Sequence, residues 1–590
     1  MLRRVGRSSE IQVQAASMSS AALQVMDLTS LRAVLAELRG ELLPSRFEKA
    51  QQPSPQTLQL GFRTLSGLIW LELCWRAEAA RLVRIPPPSR QGTGSTLAQQ
   101  VQHGLRQLAL ISLEQKGFER VVNFGLANRP GEPVQRTLVL ELMGRHSNLL
   151  LLDPQTRVIA LGRQVRNHQS RIRPIGTGDI YAEPPPLQSL EPCATESMQR
   201  WRQRLCVIPN TVQKALQECY QGISPALALQ LAGDNPEQAR ELLRQPIRDL
   251  DERQWHRLYQ RWCCWLEQLE QGRFRLRFDG PTAYRVWDGE AGSAPSPPEK
   301  GLSLGLGHYY REQLHRRELN QLTNDLQQRL NRWRDREQKA LSEQQQRLDA
   351  TAESGALQQQ ADAILCQPSP NREQIEAAQK LYKLARKLRR SSTALLERMA
   401  HHRQRIQLIQ GSESFLEDLA AAGWEPPEDR LSRLQDLRRE LDELLTPSPR
   451  QQRKNRGSSH QPPQPLELST PGGLRLQIGR NHRQNDWISL RQARPGDLWF
   501  HAQECPGSHV VLKVSAGLAE QADLQLAADL AAHFSRARGN QRVAVIVVPT
   551  EQLQRIPGTA PGTVRHRGGE VFWAEPDRGL QHLSSLKPLA

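Results

Sequence analysis

The 590-residue chain lacks the features that mark membrane-spanning, secreted and zinc-ribbon proteins. It has no run of about 18 apolar residues, which a bilayer-spanning helix requires. None of its eight cysteines forms a CxxC pair, which disfavours a zinc ribbon and is typical of reduced thiols. The basic first 25 residues have no apolar signal core, and we expect a disordered extension over residues 1–25. These absences predict a cytoplasmic protein.

Signatures of catalysis are also missing. No Gly-rich loop is followed by Lys and Ser or Thr, so the usual phosphate cradle of ATPases and GTPases is not expected. His501, Cys505 and His509 stand four residues apart, but the Pro-Gly pair between them prevents the helix that would gather them around a metal ion. Ser508 and His509 are strand neighbours with side chains on opposite faces, so they form no catalytic pair. We expect no enzymatic activity, no metal and no cofactor.

Positive charge is the strongest compositional signal. Lys plus Arg number 79 against 62 Asp plus Glu, which gives a formal net charge of +17. A charge of this sign and size is suited to a polyanion such as nucleic acid. Basic surfaces without a nucleic-acid partner, or an anionic membrane surface, are the alternatives that charge alone leaves open. The length exceeds what one hydrophobic core supports, so several domains are expected.

The first region mixes helix and strand patterns. Leucine spacing predicts a helix over 31–43, and alternation predicts a strand over 57–62. Residues 137–142 and 148–153 are predicted to pair as strands, and the turn between them presents Arg145 and His146. Residues 274–287 are expected to return a strand to this domain.

Residues 190–272 have the pattern of a compact helical module. Ser224 followed by Pro225 is typical of a helix start, where an N-cap precedes a proline at the first helical position. Such a helix end can hold a phosphate, although a small packing domain explains the pattern equally well. We expect Trp255, Trp262 and Trp265 to form its core.

Residues 309–412 predict two long helical arms. Leucines repeat from Leu319 to Leu330 on the first arm, and a heptad seam runs from Leu381 to Ile409 on the second. The Pro-containing segment 366–370 must interrupt the helix, so the arms are expected to form an antiparallel coiled-coil hairpin. Residues 371–403 carry nine Lys or Arg and three Asp or Glu. That excess indicates either a nucleic-acid contact or an ordinary solvated face.

The last region begins after a Pro- and Ser-rich linker over 446–465. Strands are predicted over 474–478, 497–502, 509–514 and 543–548, with a helix over 518–538, which together make a small α+β domain. Two motifs lie here, Gly479–Asp486 and Asp497–Lys513. Cationic Arg480, Arg483 and Lys513 suit phosphate, while Trp499, Phe500, His501 and His509 suit ribose or a stacked base.

These two motifs, with Glu141–Asn148 and Arg46–Gln51, resemble the NFACT family, whose bacterial members act in ribosome quality control. The third motif belongs to the family's N-terminal domain, and the fourth lies between its first helix and first strand. The resemblance implies a multidomain α+β protein. Its implied parts are an NFACT-N domain of mixed α/β structure (26–185), a helix-hairpin-helix-like domain (190–272), a return strand and linker (273–308), a coiled-coil hairpin with a truncated middle module (309–445), and an α+β NFACT-R domain (466–590).

The resemblance also implies site residues. Glu119–Arg120 stands where the family has an Asp-Arg pair that supports transfer-RNA engagement. The expected tRNA-binding residues are Glu119, Arg120, Arg145, His146 and Asn148. The expected RNA-binding residues of the C-terminal domain are Gly479, Arg480, Asn481, Asn485, Asp497, Trp499, His501, Gly507, Ser508 and His509.

The function implied by the resemblance is binding to stalled 50S ribosomal subunits that carry peptidyl-tRNA. The protein would recruit alanyl-tRNA and direct C-terminal alanine tails that mark the chain for degradation. Ribosomal RNA and proteins, tRNA and the small RNA-binding helper RqcP are the implied partners, with no membrane contact. A fibronectin-binding surface adhesin is one alternative, against which the missing signal and disulfide pattern argue. A glycosylase-like enzyme is another, and it lacks an evident nucleophile or base-pocket carboxylate.

Overall fold

The computed structural model describes residues 23–89, 94–166, 168–170, 173–186, 188–289, 301–351, 354–445 and 462–585. The chain divides into two compact units, Met1–Leu314 and His315–Ala590. Most of the predicted N-terminal extension and of the 446–465 linker lies outside the described residues. Leu23 is buried, however, and the Gln24 side chain exchanges hydrogen bonds of 2.9 and 3.0 Å with the Tyr284 backbone. The prediction of disorder was therefore wrong for these two residues.

The first unit is built on a nine-stranded antiparallel sheet with the order β4-β3-β2-β1-β5-β6-β7-β8-β9. A buried helix precedes the sheet. Asp27 caps this helix by accepting the Ser30 N–H at 2.9 Å, and leucines line its inner face. The elements are α1 (Leu28–Leu42), β1 (Ser45–Ser54), β2 (Thr57–Thr64), β3 (Gly67–Cys74), β4 (Arg81–Ile85), α2 (Thr96–Gly104), β5 (Ala109–Glu114), β6 (Val121–Ala127), β7 (Arg136–Glu141), β8 (Asn148–Leu152) and β9 (Val158–Leu161).

The sequence predicted this sheet correctly where the apolar pattern is strong. Helix α1, strand β2 and the pairing of β7 with β8 are confirmed. Residues 46–51 were expected to lie before the first strand, but they form β1 and pair with β2 and β5. The prediction missed this strand because its polar residues alternate with only two strong hydrophobic positions, Phe47 and Ala50.

A helical module follows in the same unit. Its helices are α3 (Met198–Leu205), α4 (Val212–Cys219), α5 (Pro225–Ala232), α6 (Pro236–Arg244) and α7 (Glu252–Gln271). Ser224 caps α5 and Pro225 begins it, as predicted. Trp255, Trp262 and Trp265 are at most 1% exposed and pack in one core, which confirms the interpretation of these tryptophans.

The return strand did not join the sheet. Residues 277–278 and 284–285 instead form a two-stranded hairpin, β10 (Arg277–Phe278) with β11 (Tyr284–Arg285). Tyr284 and Val286 are nevertheless buried in the core of the first unit. The segment therefore returns to the domain by side-chain packing rather than by strand pairing.

The second unit contains the predicted helical hairpin. Its helices are α8 (Leu302–Thr351, which begins in the first unit), α9 (Ser354–Leu365), α10 (Arg372–Ala421) and α11 (Pro427–Leu445). Gln358 contacts Arg389 at 2.7 Å, and Glu337 contacts His402 at 2.6 Å. Residue numbers rise on one arm as they fall on the other, so the arms are antiparallel. Buried Ala385, Leu395, Met399 and Ile409 confirm the predicted seam.

The C-terminal domain has a six-stranded sheet with the order β12-β13-β15-β14-β16-β19. Its elements are β12 (Leu466–Ser469), β13 (Arg475–Ile478), α12 (His482–Asp486), a π-helical turn (Trp487–Arg491), β14 (Leu498–Ala502), β15 (Val510–Leu512), α13 (Gln521–His533), β16 (Val543–Pro549), β17 (Leu553–Arg555), β18 (Val564–His566), β19 (Glu570–Ala574) and α14 (Pro576–Ser585). The predicted strands and helix are present; β16 extends one residue further than predicted, to Pro549, and the others are shorter than predicted. None of the helices in the described part of the chain is both long and apolar enough to cross a membrane.

Candidate functional site

A cleft in the first unit brings together residues that are far apart in sequence. Its volume is about 1190 Å³. The walls come from the start of α1, the loop before β6, the β7–β8 turn and the turn before α5. All five residues predicted for tRNA binding line this cleft, namely Glu119, Arg120, Arg145, His146 and Asn148.

The β7–β8 turn presents two cationic or titratable side chains to solvent. Arg145 and His146 are exposed at its tip, and the Arg145 Nε donates to His146 Nε2 at 3.1 Å. Ser147 holds the turn from below, because its buried hydroxyl accepts the Met143 N–H at 2.8 Å. The rigid turn therefore displays Arg145 and His146 as the sequence predicted.

Arg163, from the segment after β9, adds a third group to this edge of the cleft. Its side chain is exposed, and its Nη1 donates to the Arg145 carbonyl at 2.8 Å. Arg163 was not predicted as a site residue, because it follows a short strand and belongs to no motif. A prediction that β8 and β9 form a hairpin could have identified Arg163, because that hairpin returns the chain to the β7–β8 turn.

Asn148 has a different role from the one predicted. It is 3% exposed, and both the nitrogen and the oxygen of its amide group bond to backbone. Its Nδ2 donates to the Arg163 carbonyl at 2.8 Å, while its Oδ1 accepts the Leu149 and Arg163 N–H groups at 3.0 and 2.9 Å. The prediction of direct RNA contact is corrected accordingly: Asn148 positions Arg163 behind the turn.

Arg120 lies deeper in the cleft and is partly buried. Its Nη1 donates to the Met26 carbonyl at 3.3 Å. Burial lowers the pKa of the Arg120 guanidinium, and the nearby charges of Asp27 and Glu119 act in the opposite direction. Asp27 is itself held by hydroxyl groups, because Ser30 and Ser224 each donate to its carboxylate at 2.7 Å.

The polar floor of the cleft is a buried ion pair. Glu141 is 1% exposed, and Arg173 donates to its two carboxylate oxygens at 3.0 and 2.6 Å. Tyr181 adds a third hydrogen bond at 3.0 Å, and burial raises the pKa of its hydroxyl. Glu141 therefore neutralises Arg173, and the pair acts as scaffold.

The cleft contains arginine side chains whose positive charge is not neutralised by an ion pair. Among the described residues, Arg145 and Arg163 form no ion pair with a carboxylate, whereas Arg120 lies near the charges of Asp27 and Glu119. A phosphate could accept hydrogen bonds from the guanidinium nitrogens that do not already donate to Met26, His146 or the Arg145 carbonyl. The arrangement is suited to an anion with several phosphates.

The C-terminal motif residue Arg480 is buried in the second unit. It is 2% exposed, and its Nε lies 2.9 Å from Asp418 Oδ2 at the end of α10. Glu425 lies 3.6 Å from its Nη1, and the guanidinium stacks over the Phe534 ring at 4.8 Å. The expectation that Arg480 contacts phosphate is corrected, because this side chain ties the domain to the helical hairpin.

The rest of the Gly479–Asp486 motif reinforces that attachment. Glu440 on α11 accepts the His482 and Arg483 N–H groups at 3.2 and 2.6 Å. Burial raises the pKa of Glu440 to about 7. The Arg483 side chain pairs with Glu443. The backbone N–H groups in the first turn of the motif therefore donate to Glu440 on α11. The sequence pattern could not reveal this contact.

The glycine and asparagine residues of the two motifs stabilise the local backbone. Asn481 is the N-cap of α12, accepting the Gln484 N–H at 2.8 Å. Asn485 accepts the His509 N–H at 3.0 Å, and a Cβ on Gly479 would meet that amide oxygen at 2.1 Å. Gly507 pairs through its backbone with Ser535. Their predicted RNA contacts are corrected to structural roles, since these residues are internal.

Trp499 and His509 are buried rather than displayed. They are 2% and 4% exposed, and their rings meet edge to face at 5.0 Å. His501 is partly exposed and stacks on Trp499 at 5.4 Å, with 7° between the planes. Burial lowers the pKa of His501 to about 4 and holds the pKa of His509 well below its ordinary value. Of this cluster, His501 alone retains some of the accessibility that base stacking needs, and the prediction for Trp499 and His509 is corrected.

Two more predicted residues have internal partners. Asp497 is fully buried and accepts hydrogen bonds from Lys513 at 3.0 Å and Ser515 at 2.7 Å. Burial alone would raise the Asp497 pKa, but these bonds outweigh it and hold the pKa below its ordinary value. Ser508 is 1% exposed, and its N–H donates to the Phe534 carbonyl at 2.8 Å. Lys513, Asp497 and Ser508 are therefore not available to RNA in this conformation.

A metal site is not formed by these groups. Within the described ranges, no cluster of three or more His, Cys, Asp or Glu side chains could hold a metal ion.

Comparison with known proteins identifies the family. The family model for NFACT N-terminal and middle domains matches residues 27–369, and the model for the NFACT protein RNA binding domain matches residues 468–568. The chain belongs to the NFACT family. The cleft lies within the NFACT N-terminal segment, and the buried motif lies within the NFACT RNA-binding segment.

Relatives extend this NFACT assignment over most of the chain. It is 25% identical to the Rqc2 homolog RqcH of Streptococcus suis over 92% of this chain and 97% of that protein. It is 22% identical to the Rqc2 homolog RqcH of Bacillus subtilis over 79% of this chain and 82% of that protein. A solved C-terminal structure of the fibronectin/fibrinogen-binding protein from S. suis is 26% identical, with a TM-score of 0.38, over 46% of this chain and 99% of that one.

Proposed function

We propose that this NFACT protein is a ribosome quality-control factor that binds tRNA in the cleft of its first unit. The observation that carries the proposal is the pair of exposed arginines at the rim, Arg145 and Arg163, which have no carboxylate partner among the described side chains. Their guanidinium groups offer planar donor pairs to successive phosphates. Similarity to proteins named Rqc2 homolog RqcH supports the ribosomal setting.

The proposed cycle begins on a stalled 50S subunit that carries peptidyl-tRNA. The protein recruits alanyl-tRNA and directs addition of alanines to the C-terminus of the blocked chain, which marks it for degradation. Its own contribution is positioning, and peptide-bond formation stays with ribosomal RNA. The helper RqcP is a proposed partner on the same particle.

The helical hairpin supports a contact with ribosomal RNA. Between positions 380 and 390, α10 carries six cations and no acid. All six side chains are exposed, and Arg389 donates a hydrogen bond to Gln358 on the other arm at 2.7 Å. They are Lys380, Lys383, Arg386, Lys387, Arg389 and Arg390. A line of exposed cations along one helix is suited to the phosphates of a structured RNA.

The tRNA proposal is tested with a double substitution at the rim of the cleft. Arg145→Ala with Arg163→Ala removes two phosphate donors while leaving the Glu141–Arg173 floor intact. We expect weaker binding to tRNA and a log Kd versus log salt slope reduced by about 1.8, since each phosphate contact contributes about 0.9 for a duplex. Filter binding over a salt series with deacylated tRNA measures both.

Arg129→Ala is the matched control. Arg129 is exposed in the turn between β6 and β7, at the opposite end of those strands from the cleft. This variant should bind tRNA as the native chain does. Equal affinity and equal slope for the double variant and the control would refute the cleft as the tRNA site.

The ribosomal part is tested separately. The full chain should sediment with 50S particles from stalled translation, and crosslinking in cells followed by sequencing should recover tRNA and 23S-type ribosomal RNA. A chain that sediments with no subunit and retains no RNA would contradict the proposal.

A further inference from the structure

The helical hairpin is packed differently in its two parts. At its base, leucines of α8 and α10 share one core with a third helix, α11. In the distal part, residues 354–390, the buried residues are all alanines at heptad position a: Ala361 on α9, with Ala378 and Ala385 on α10. Small residues at a seam let two helices approach closely, and the larger apolar residues at position d are then left at its edge. They are Leu357, Ile364, Leu381 and Leu388, and each is only partly buried.

The two flanks of this distal part differ in chemistry. On the flank formed by the e positions, Tyr382 of α10 donates to Asp362 of α9. Arg389, one heptad later, donates to Gln358 at 2.7 Å. Antiparallel helices bring their g positions together on the opposite flank, where Leu384 is 45% exposed. Position g adjoins d, so Leu384 and the four partly buried leucine and isoleucine residues of the seam line one apolar groove between α9 and α10.

Lysines border this groove. Lys380 and Lys387 are exposed at position c, which lies beside g on the helix surface. Helix α10 carries no Asp or Glu over residues 377–396, so the rim that α10 contributes is cationic. Lys383 and Arg390 stand at position f, on the face turned away from α9. These two side chains stay available to ribosomal RNA when the groove is occupied.

At the base of the hairpin, the same flank of α10 is covered by α11. Arg405 occupies position g, three heptads after Leu384, and its Nη2 donates to the carbonyl of Leu445 at the end of α11 at 3.2 Å. Helix α11 is amphipathic and acidic, with six Asp or Glu against four Arg. It contributes three fully buried leucines to the shared core, namely Leu434, Leu437 and Leu441. The distal groove therefore continues a surface that already accepts an acidic amphipathic helix.

We infer that the groove lined by Leu357, Ile364, Leu381, Leu384 and Leu388 binds an amphipathic helix of a partner protein with acidic residues along the edge of its apolar face. The bound helix completes a three-helix bundle in the distal hairpin, as α11 does at the base. Its apolar face covers Leu384, and its carboxylates pair with Lys380 and Lys387.

Other segments of this protein are poorly matched to the groove. Residues 446–461, which follow α11, carry four Lys or Arg, no acid and no Leu, Ile, Val or Phe. The distal hairpin of a second copy would bring the same two lysines, Lys380 and Lys387, against their equivalents. An acidic helix from another protein meets neither obstacle.

The test uses the full chain and two fluorescein-labelled, stapled helical peptides of about 18 residues, measured by anisotropy at fixed salt. Both peptides carry the same leucine face, bordered by glutamates in one and by lysines in the other. The native chain should bind the glutamate peptide and bind the lysine peptide about 10-fold more weakly or worse. Leu384→Gln should raise the Kd of the glutamate peptide by about 5-fold or more, because a leucine side chain that the peptide covers is lost. Leu396→Gln, at position e and 53% exposed, is the matched control and should leave the Kd unchanged.

Charge is tested by Lys380→Gln with Lys387→Gln. This variant should lose most of the preference for the glutamate peptide over the lysine peptide, because the cations on the groove rim are gone. Lys383→Gln with Arg390→Gln is the control with the same charge change on the outer face, and it should keep the preference. Hydrogen exchange should show peptide-induced protection over residues 354–365 and 377–391 rather than over α11, which locates the contact in the distal hairpin.

The outcomes separate this inference from the tRNA proposal, which concerns the cleft of the first unit. No binding of either peptide, equal binding of both, or an unchanged Kd in Leu384→Gln overturns the inference whatever the cleft variants do. If the native chain dimerises in sedimentation and Leu384→Gln dissociates the dimer, the occupant is a second copy and the inference is wrong. It is equally wrong if Leu384→Gln weakens binding to 23S-type ribosomal RNA and spares the peptide. Unchanged helical circular dichroism in each variant shows that the hairpin is still folded.

Discussion

Replacing Arg480 with Ala should detach the C-terminal domain from the base of the helical hairpin. The substitution leaves Asp418 and Glu425, whose side chains are 5% and 3% exposed, without their shared cation. Removing one partner of a buried ion pair costs about 3–5 kcal/mol. Asp418 still has Arg538 at 3.6 Å, and Glu425 still has Arg433. We therefore expect Arg480→Ala to lower the local stability by about 2–3 kcal/mol.

Hydrogen exchange read by mass spectrometry over residues 475–492 measures the loss, because it reports the local opening free energy. Arg475→Ala is the control, since its ion pair with Glu467 is exposed and should contribute about 0.5 kcal/mol. Arg480→Ala should also increase proteolysis near the end of α10. If exchange protection is unchanged while RNA affinity falls, Arg480 contacts RNA directly and the structural interpretation is refuted.

Four further predictions concern stability. Trp262→Ala, in the centre of the helical module, should cost about 3–5 kcal/mol in thermal unfolding, and a loss below about 1 kcal/mol would contradict the packing. Gly222→Ala should cost about 1–2 kcal/mol, because φ is +77° there and a Cβ would meet two side chains at 3.0 Å. The C-terminal domain should lose stability as the pH falls from 6.5 toward 4. Burial keeps His482, His501 and His509 neutral in the folded state, whereas the same histidines take up protons in the unfolded chain. Glu440, with its pKa raised to about 7, binds a proton in the folded state and opposes that loss, so Glu440→Gln should steepen the acid transition seen by urea unfolding.

The pattern of apolar residues was enough to predict the main elements. The heptad seam, the Pro-containing break and the paired strands β7 and β8 depend on local spacing, which a single sequence displays directly. Ser224 and Pro225 marked a helix start for the same reason. Strand β1 and the β10–β11 hairpin were not predicted correctly, because long-range pairing and packing decided them.

The candidate cleft was predicted in part. The β7–β8 turn and Arg120 were identified from the sequence, since a turn between two strong strands must be displayed and the Glu-Arg pair resembles a family motif. Arg163 was not identified from the sequence, because its position depends on strand β9, which returns the chain to the cleft, and on hydrogen bonds to the Asn148 amide.

The chain's excess of Lys and Arg, its helical arms and the strand pairing around Gly144 follow from the order of residues alone, because charge and periodicity are local properties. Which cations face solvent was decided by the tertiary structure. Arg480 and Lys513 are internal because buried Asp418 and Asp497 lie opposite them, while Arg145 and Arg163 have no such partner in the described structure. A guanidinium group becomes available to RNA only where the fold leaves it without an internal carboxylate, and that pairing is set by contacts between distant segments.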